Sequence, residues 1–169
     1  YVGRNYRQAR FSGTSAVSVV ASTVLDEIRA ERLKRKYKVN IPAALAVQTS
    51  SEVFFKSSVD EWREELALLE SRKSELTSDV YLFVSSELDA VFIPNIINYP
   101  GSEQQAGYWE VFDNYRLRDD DISLSNFSYL AVLNPYLDYQ MKKKAHAKGE
   151  KYIAPATMKE KYKEISNFY

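Results

Sequence analysis

Apolar residues recur with a helical period along most of this chain. The clearest stretch follows Thr49-Ser50-Ser51-Glu52, where a hydroxyl and a carboxylate three residues apart form a capping box. The apolar positions after it are spaced 4, 3, 4 and 3, which predicts one buried helix face, composed of Phe55, Val59, Trp62, Leu66 and Leu69. This helix should run to about Lys73, with the acidic residues Glu61, Glu64 and Glu65 on the solvent side.

Two further helices flank this one in the first hundred residues. One should start near Thr14 or Ser15, which are good N-cap residue types, and end near Tyr37, with Arg32 facing water. The other should begin at Thr77 and be buried on more than one side, because its apolar stripe is unusually wide. Pro94 is expected to bend or stop it, and Tyr99-Pro100-Gly101 predicts a turn.

The second half of the chain has a similar but less regular pattern. A short helix is predicted from about Gln104 to Leu117. Asp119-Asp120-Asp121 precedes a longer helical stretch, kinked at Pro135, with an apolar stripe formed by Leu124, Phe127, Leu130, Leu133, Leu137 and Met141. Lys148-Gly149-Glu150 predicts a break, and a second capping box from Thr157 to Glu160 predicts a last helix.

These elements predict a mainly α fold, an irregular bundle of five to six helices. Residues 1–13 have no helical stripe and are predicted to form an extended lead-in, suited to one edge strand, so the helical domain should span 14–169. The last helix has no stop signal and ends on Phe168-Tyr169, and the chain does not begin with Met. We therefore expect it to be part of a longer protein.

The composition is that of an ordinary globular domain. Hydrophobic residues make up 45% of the 169 residues and charged residues 27%, with 23 basic and 23 acidic side chains. The balanced charge argues against nucleic acid as a partner, and the basic runs Arg32 to Lys38 and Lys142 to Lys151 are best explained as solvated helix ends. No apolar run approaches the ~20 residues needed to cross a bilayer, so no membrane-spanning segment is expected.

Few residues suit catalysis or metal binding. The chain has no cysteine and one histidine, His146, which lies in a cationic stretch without a neighbouring carboxylate to orient it. Asp119-Asp120-Asp121 lacks the alternate spacing and glycine of a calcium loop, so helix N-terminal charge explains it better. Scattered glycines leave no phosphate-binding loop. The sequence therefore predicts no catalytic site, no bound metal and no cofactor.

Aromatic residues are the remaining candidates for a functional surface. The chain has 13 Tyr, 8 Phe and 2 Trp, more than a core of this size readily accommodates. Helical spacing favours core packing for any single ring, but some should be exposed and bind a partner. The candidate contact surface consists of Tyr108, Trp109, Tyr115, Tyr136 and Tyr139.

The order of elements resembles a known arrangement. Phe11-Ser12-Gly13 precedes a helix that begins Thr14-Ser15-Ala16, the long helix around Phe54-Phe55 follows, and Asn134-Pro135-Tyr136-Leu137-Asp138-Tyr139 closes a later helix. This is similar to the helical segment that precedes the thioredoxin-like domain in TlpA-like thiol–disulfide oxidoreductases of Bacteroidetes type. The resemblance implies an accessory domain in the periplasm or another extracytoplasmic compartment, which contacts the adjacent redox domain or a substrate protein. The redox cysteines of that family are absent here, so no catalytic residue carries over.

Three hypotheses about function follow. The first is a non-catalytic accessory domain of such an oxidoreductase, which positions a substrate or partner by contact. The second is a free-standing module that recognises a peptide or glycan through exposed aromatic rings. The third is an enzyme that uses Asp and Glu alone, which requires two carboxylates ~5–9.5 Å apart in a cleft.

Overall fold

Five α-helices build the part of the chain that the structure, a computed structural model, describes: residues 14–36, 50–155, 157 and 160. They are α1 (Thr14–Lys36), α2 (Ser51–Ser71), α3 (Ser78–Asn98), α4 (Asp121–Ser125) and α5 (Phe127–Ala147). Short 3-10 turns at Lys73–Glu75 and Ser102–Gln104 lie between them, and these described residues contain no strand. The mainly α bundle is confirmed, whereas the lead-in predicted for 1–13 lies outside the described residues.

Polar side chains fix where the helices begin. Ser50 and Thr77 each accept a hydrogen bond from the backbone N–H three residues on, at 3.4 Å, and so cap α2 and α3. The cap of α2 is therefore Ser50 rather than Thr49. Asp120 caps α4 in the same way, accepting from the Ser123 N–H at 2.8 Å, which confirms that this acidic run serves a helix N-terminus.

Helix α3 is the centre of the bundle. It packs against α1, α2 and α5, and residues on several of its sides are buried, as its wide apolar stripe predicted. Pro94 does not stop it, because the helix continues to Asn98. By length and composition alone α3 is apolar enough to cross a membrane, but 56% of its most apolar window is buried in the core. No membrane-spanning segment is therefore plausible among the described residues.

Helix α5 turns a different face inward from the one that its leucines predicted. Half of the predicted stripe is exposed, with Phe127 88% accessible and Leu124 and Leu130 42% each; Leu133 and Leu137 are half-buried, and Met141 alone of the six is buried. The buried residues of the helix are Tyr129, Val132, Tyr136, Tyr139 and Met141. The stretch is also broken at Asn126, which ends α4 and caps α5, whereas the helix runs through Pro135.

The segment between α3 and α4 is not the helix predicted from about Gln104 to Leu117. After the turn at 99–101 and the 3-10 turn Ser102–Gln104, residues 105–114 form successive turns. Gly101 and Gly107 both have a positive φ, 83° and 80°, a conformation that breaks a helix and suits glycine. Tyr108, Val111 and Phe112 of this segment are buried.

The predicted signals at the end of α5 are both present. The helix closes at Lys148-Gly149-Glu150, where Gly149 has a φ of 68° and its N–H donates to the His146 carbonyl at 3.0 Å. Thr157 and Glu160 form the reciprocal capping box: each backbone N–H donates to the other side chain at 3.2 Å. The remainder of the last predicted helix lies outside the described residues.

Candidate functional site

A buried carboxylate organises the middle of the bundle. Asp89 on α3 has no accessible surface, and its Oδ1 accepts a hydrogen bond from the Trp62 indole N–H at 3.1 Å. Its Oδ2 accepts from Arg118 Nε at 2.8 Å and from the Tyr115 hydroxyl at 3.2 Å. The carboxylate thus joins α2, α3 and the segment before α4.

The effects on the Asp89 carboxylate oppose one another, and its hydrogen bonds indicate a structural role rather than a catalytic one. Burial raises the pKa of the Asp89 carboxyl, while the neighbouring Arg118 guanidinium and the hydrogen bonds to it oppose that rise. Burial and the Asp89 charge also raise the pKa of the Tyr115 hydroxyl, so it stays protonated and donates. Because each oxygen of Asp89 already accepts a hydrogen bond, the cluster is best explained as a structural one.

A second set of buried charges joins α1 to α2. Arg32 Nε lies 2.6 Å from Glu65 Oε1, and Arg32 Nη1 lies 3.3 Å from Glu61 Oε2, with all three side chains 5% accessible or less. Burial raises the pKa of Glu65, and the Arg32 charge opposes this. The prediction that Arg32, Glu61 and Glu65 face water is therefore wrong, because long-range pairing allows their burial.

The five aromatic residues of the predicted contact surface lie side by side but mostly inside. Tyr108, Tyr136 and Tyr139 are 1%, 6% and 0% accessible, so their rings are core residues and cannot form a platform for a ligand. Trp109 and Tyr115 are half-buried. The rings pack edge-on, as between Tyr108 and Tyr139 at 5.4 Å and between Tyr115 and Tyr136 at 5.2 Å.

These tyrosines tie the turns of residues 105–114 to α5. The Tyr139 hydroxyl lies within hydrogen-bond reach of the Tyr108 and Trp109 carbonyls, at 3.0 and 2.8 Å. The exposed His146, in the last turn of α5, stacks on Trp109 with ring centres 4.6 Å apart. Lys143 of α5 forms an ion pair with Asp113. The turns are thereby fixed as a wall of the bundle despite their lack of helix.

An open groove lies between that wall and α2. Its volume is about 510 Å³. Phe55 and Val59 of α2 and Val111 of the turns form an apolar floor, while Ala106 and Gly107 line the far side. Gly107 has open space around it, so nothing from the described part of the chain covers the wall at that point.

Charged side chains of alternating sign edge the groove along α2. In chain order they are Glu52, Lys56, Asp60 and Arg63, all exposed. Opposite charges four residues apart on a helix commonly pair. None of these four forms a hydrogen bond or ion pair with another side chain in the described ranges, so their charges face the groove and solvent.

The groove exposes its carboxylates to solvent. It contains three carboxylates, on Glu52, Asp60 and Glu110, but each is exposed to solvent. A general acid at neutral pH needs a carboxyl that is kept out of water. Within the described residues, no three His, Asp or Glu side chains are close enough together to hold a metal ion.

The chain matches no protein-family model, no curated protein and no solved structure. The groove and its edge must therefore be interpreted from their own chemistry. Sequence reasoning missed this site because half of it is formed by turns that were predicted as helix. The alternating signs at 52, 56, 60 and 63 were the signal present in the sequence.

Proposed function

We propose that this chain is a non-catalytic contact domain that binds a polypeptide segment of a partner protein in the groove between α2 and residues 105–111. The groove carries the proposal: an apolar floor edged by unpaired charges is the arrangement of a surface that binds another chain. The absence of cysteine from the chain is consistent with a role in contact.

Peptide is favoured over glycan as the ligand. A glycan site of the predicted kind needs exposed aromatic rings, and three of the five candidate rings are buried. In the form that the resemblance implies, the bound segment would belong to an adjacent thioredoxin-like domain or to its substrate protein, outside the cytoplasm. That form of the proposal rests on the order of the helices.

A bulky residue placed in the groove tests the proposal. Ala106 is exposed on the groove wall, so Ala106→Trp should fill the opening without disturbing the core. Ala67, which is also exposed and lies on α2 but does not line the groove, provides the matched control Ala67→Trp. Peptides would first be selected from a random display library against the unmodified chain. Calorimetry would then measure their affinity for the unmodified chain and for both variants.

We expect Ala106→Trp to weaken the selected peptides by about tenfold or more, the equivalent of about 1.4 kcal/mol. The Ala67→Trp control should bind them as the unmodified chain does. A library that yields no binder would contradict the proposed function, and so would binders whose affinity is unchanged by Ala106→Trp.

A further inference from the structure

We infer that the occupant of the groove is an extended peptide segment whose side chains alternate in charge at every second position. This inference rests on the proposed function and specifies its ligand. It follows from the order of the charges along α2 and from their spacing.

The order of charges sets the ligand pattern. Glu52, Lys56, Asp60 and Arg63 present minus, plus, minus, plus along one edge of the groove. The two four-residue steps, from Glu52 to Lys56 and from Lys56 to Asp60, each advance about 6 Å, and the three-residue step to Arg63 advances about 4.5 Å. Alternate residues of an extended chain recur every ~6.6 Å, and the long Arg63 side chain spans the remaining difference. Every second side chain of an extended peptide would therefore meet one α2 charge. A reversed alternating peptide regains complementarity after a shift of one charged position, with three charge pairs in place of four.

The edge is long enough for a short extended peptide. From Glu52 to Arg63 it is about 16 Å long, since each residue of a helix advances ~1.5 Å. The other face of an extended peptide would meet the wall of residues 105–111, where Ala106 and Gly107 leave room for small side chains and Glu110 adds a negative charge.

Two synthetic peptides of identical composition provide the test. One alternates its charges, Lys-Val-Glu-Ala-Lys-Val-Glu, and the other sorts them, Lys-Val-Lys-Ala-Glu-Val-Glu. Exchanging two charges of α2, by Lys56→Glu together with Asp60→Lys, changes the order along the edge to minus, minus, plus, plus and leaves the net charge unchanged. The control exchange, Asp26→Lys with Lys34→Glu, changes exposed residues of α1 away from the groove.

The unmodified chain and the control should bind the alternating peptide about fivefold more tightly than the sorted one, as expected for a few partly exposed ion pairs. The exchanged variant should prefer the sorted peptide. Both preferences should shrink as ionic strength rises, because salt screens exposed charges. Calorimetry at low and high salt measures all of these affinities.

Two results would overturn the inference: an equal preference in the unmodified and exchanged chains, or no binding of either peptide to the unmodified chain. The proposed function fails separately, through the unbiased library. If the library yields groove binders without charge alternation, the domain binds peptides but its ligand is not the one inferred here.

Discussion

Arg118 and Asp89 are 29 residues apart in the chain, and Arg118 Nε lies 2.8 Å from Asp89 Oδ2. The guanidinium is 22% accessible and the carboxylate is fully buried, so the pair closes the core at its edge. Removing the carboxylate leaves a partly buried cation and two further donors, the Trp62 indole and the Tyr115 hydroxyl, without their acceptor.

Asp89→Ala should therefore lower the free energy of unfolding by about 3–5 kcal/mol, the usual cost of breaking a buried pair on one side. Urea unfolding followed by tryptophan fluorescence measures this change. Asp26→Ala, which removes an exposed carboxylate from α1, should stay within about 0.5 kcal/mol of the unmodified chain. A loss below about 1 kcal/mol for Asp89→Ala would mean that water replaces the carboxylate.

The same carboxyl predicts a pH dependence. Burial raises the pKa of Asp89 above its ordinary value of 3.8, so the folded chain holds this proton to a higher pH than the unfolded chain does. Its contribution to stability is complete below the unfolded-state pKa, about 3.8, and declines as the pH rises through the folded-state pKa.

Asp89→Asn lacks this contribution. The difference in unfolding free energy between the unmodified chain and Asp89→Asn should therefore fall as the pH rises from about 3.5 toward 7. Urea titrations at several pH values measure it. A difference that grows with pH would mean that Arg118 outweighs burial and holds the folded-state pKa below the unfolded one.

Substitutions among the buried charges between α1 and α2 should lower the free energy of unfolding more when made singly than when all three charges are replaced. Arg32→Met alone removes the buried cation that pairs with Glu65 and contacts Glu61, and it should cost about 3–5 kcal/mol. Adding Glu61→Leu and Glu65→Leu should recover most of that loss, because apolar side chains need no partner. Thermal unfolding of the single and the triple variant measures this recovery. A triple variant no more stable than Arg32→Met would contradict the prediction.

Two glycines with nearly equal φ offer a matched comparison. At Gly107, φ 80°, an added Cβ would meet nothing within 4 Å, so Gly107→Ala should cost only the backbone strain of about 1–2 kcal/mol. At Gly101, φ 83°, the Cβ would lie 2.7 Å from Ser51 Oγ. Gly101→Ala should therefore cost more, and adding Ser51→Ala should restore part of the loss. Equal melting temperatures for the two single variants would show that Ser51 moves aside freely.

The hydroxyl of Tyr139 should stabilise the groove wall. Tyr139→Phe removes a donor within reach of two carbonyls, those of Tyr108 and Trp109, and should cost about 1–2 kcal/mol. Tyr136→Phe removes the 3.2 Å bond to the Tyr115 carbonyl, which lies outside residues 105–114, and is the comparison. The rate of hydrogen exchange in residues 105–114 should rise more in Tyr139→Phe than in Tyr136→Phe. A larger rise in Tyr136→Phe would show that the Tyr139 hydroxyl does not hold the groove wall.

The helices with a strong apolar period could be predicted from the sequence. Helices α1, α2 and α3 begin within a residue or two of the predicted starts, because their caps and stripes are local signals. Pro94 and Pro135 both lie inside helices, so neither proline ends its helix. Packing against neighbouring helices outweighed the local cost of proline there.

The buried polar groups could not be predicted, because their partners are distant in the chain. Glu65 looked like a solvent-facing residue until Arg32, 33 positions away, supplied its charge partner. The inward face of α5 has a similar cause. The Tyr136 and Tyr139 hydroxyls donate to the backbone carbonyls of Tyr115 and Tyr108, in a segment that was itself predicted as helix. One wrong element thus hid both the tyrosine core and the groove.

Asp89 also distinguishes α3 from a helix that spans a membrane. It lies near the middle of α3, the one described helix that is long and apolar enough to enter a bilayer. A carboxylate at the centre of an inserting helix costs about 2.5–3.5 kcal/mol on insertion scales. The residue that joins three elements of the folded bundle therefore also makes its most apolar helix a poorer membrane helix than its length and mean hydropathy suggest.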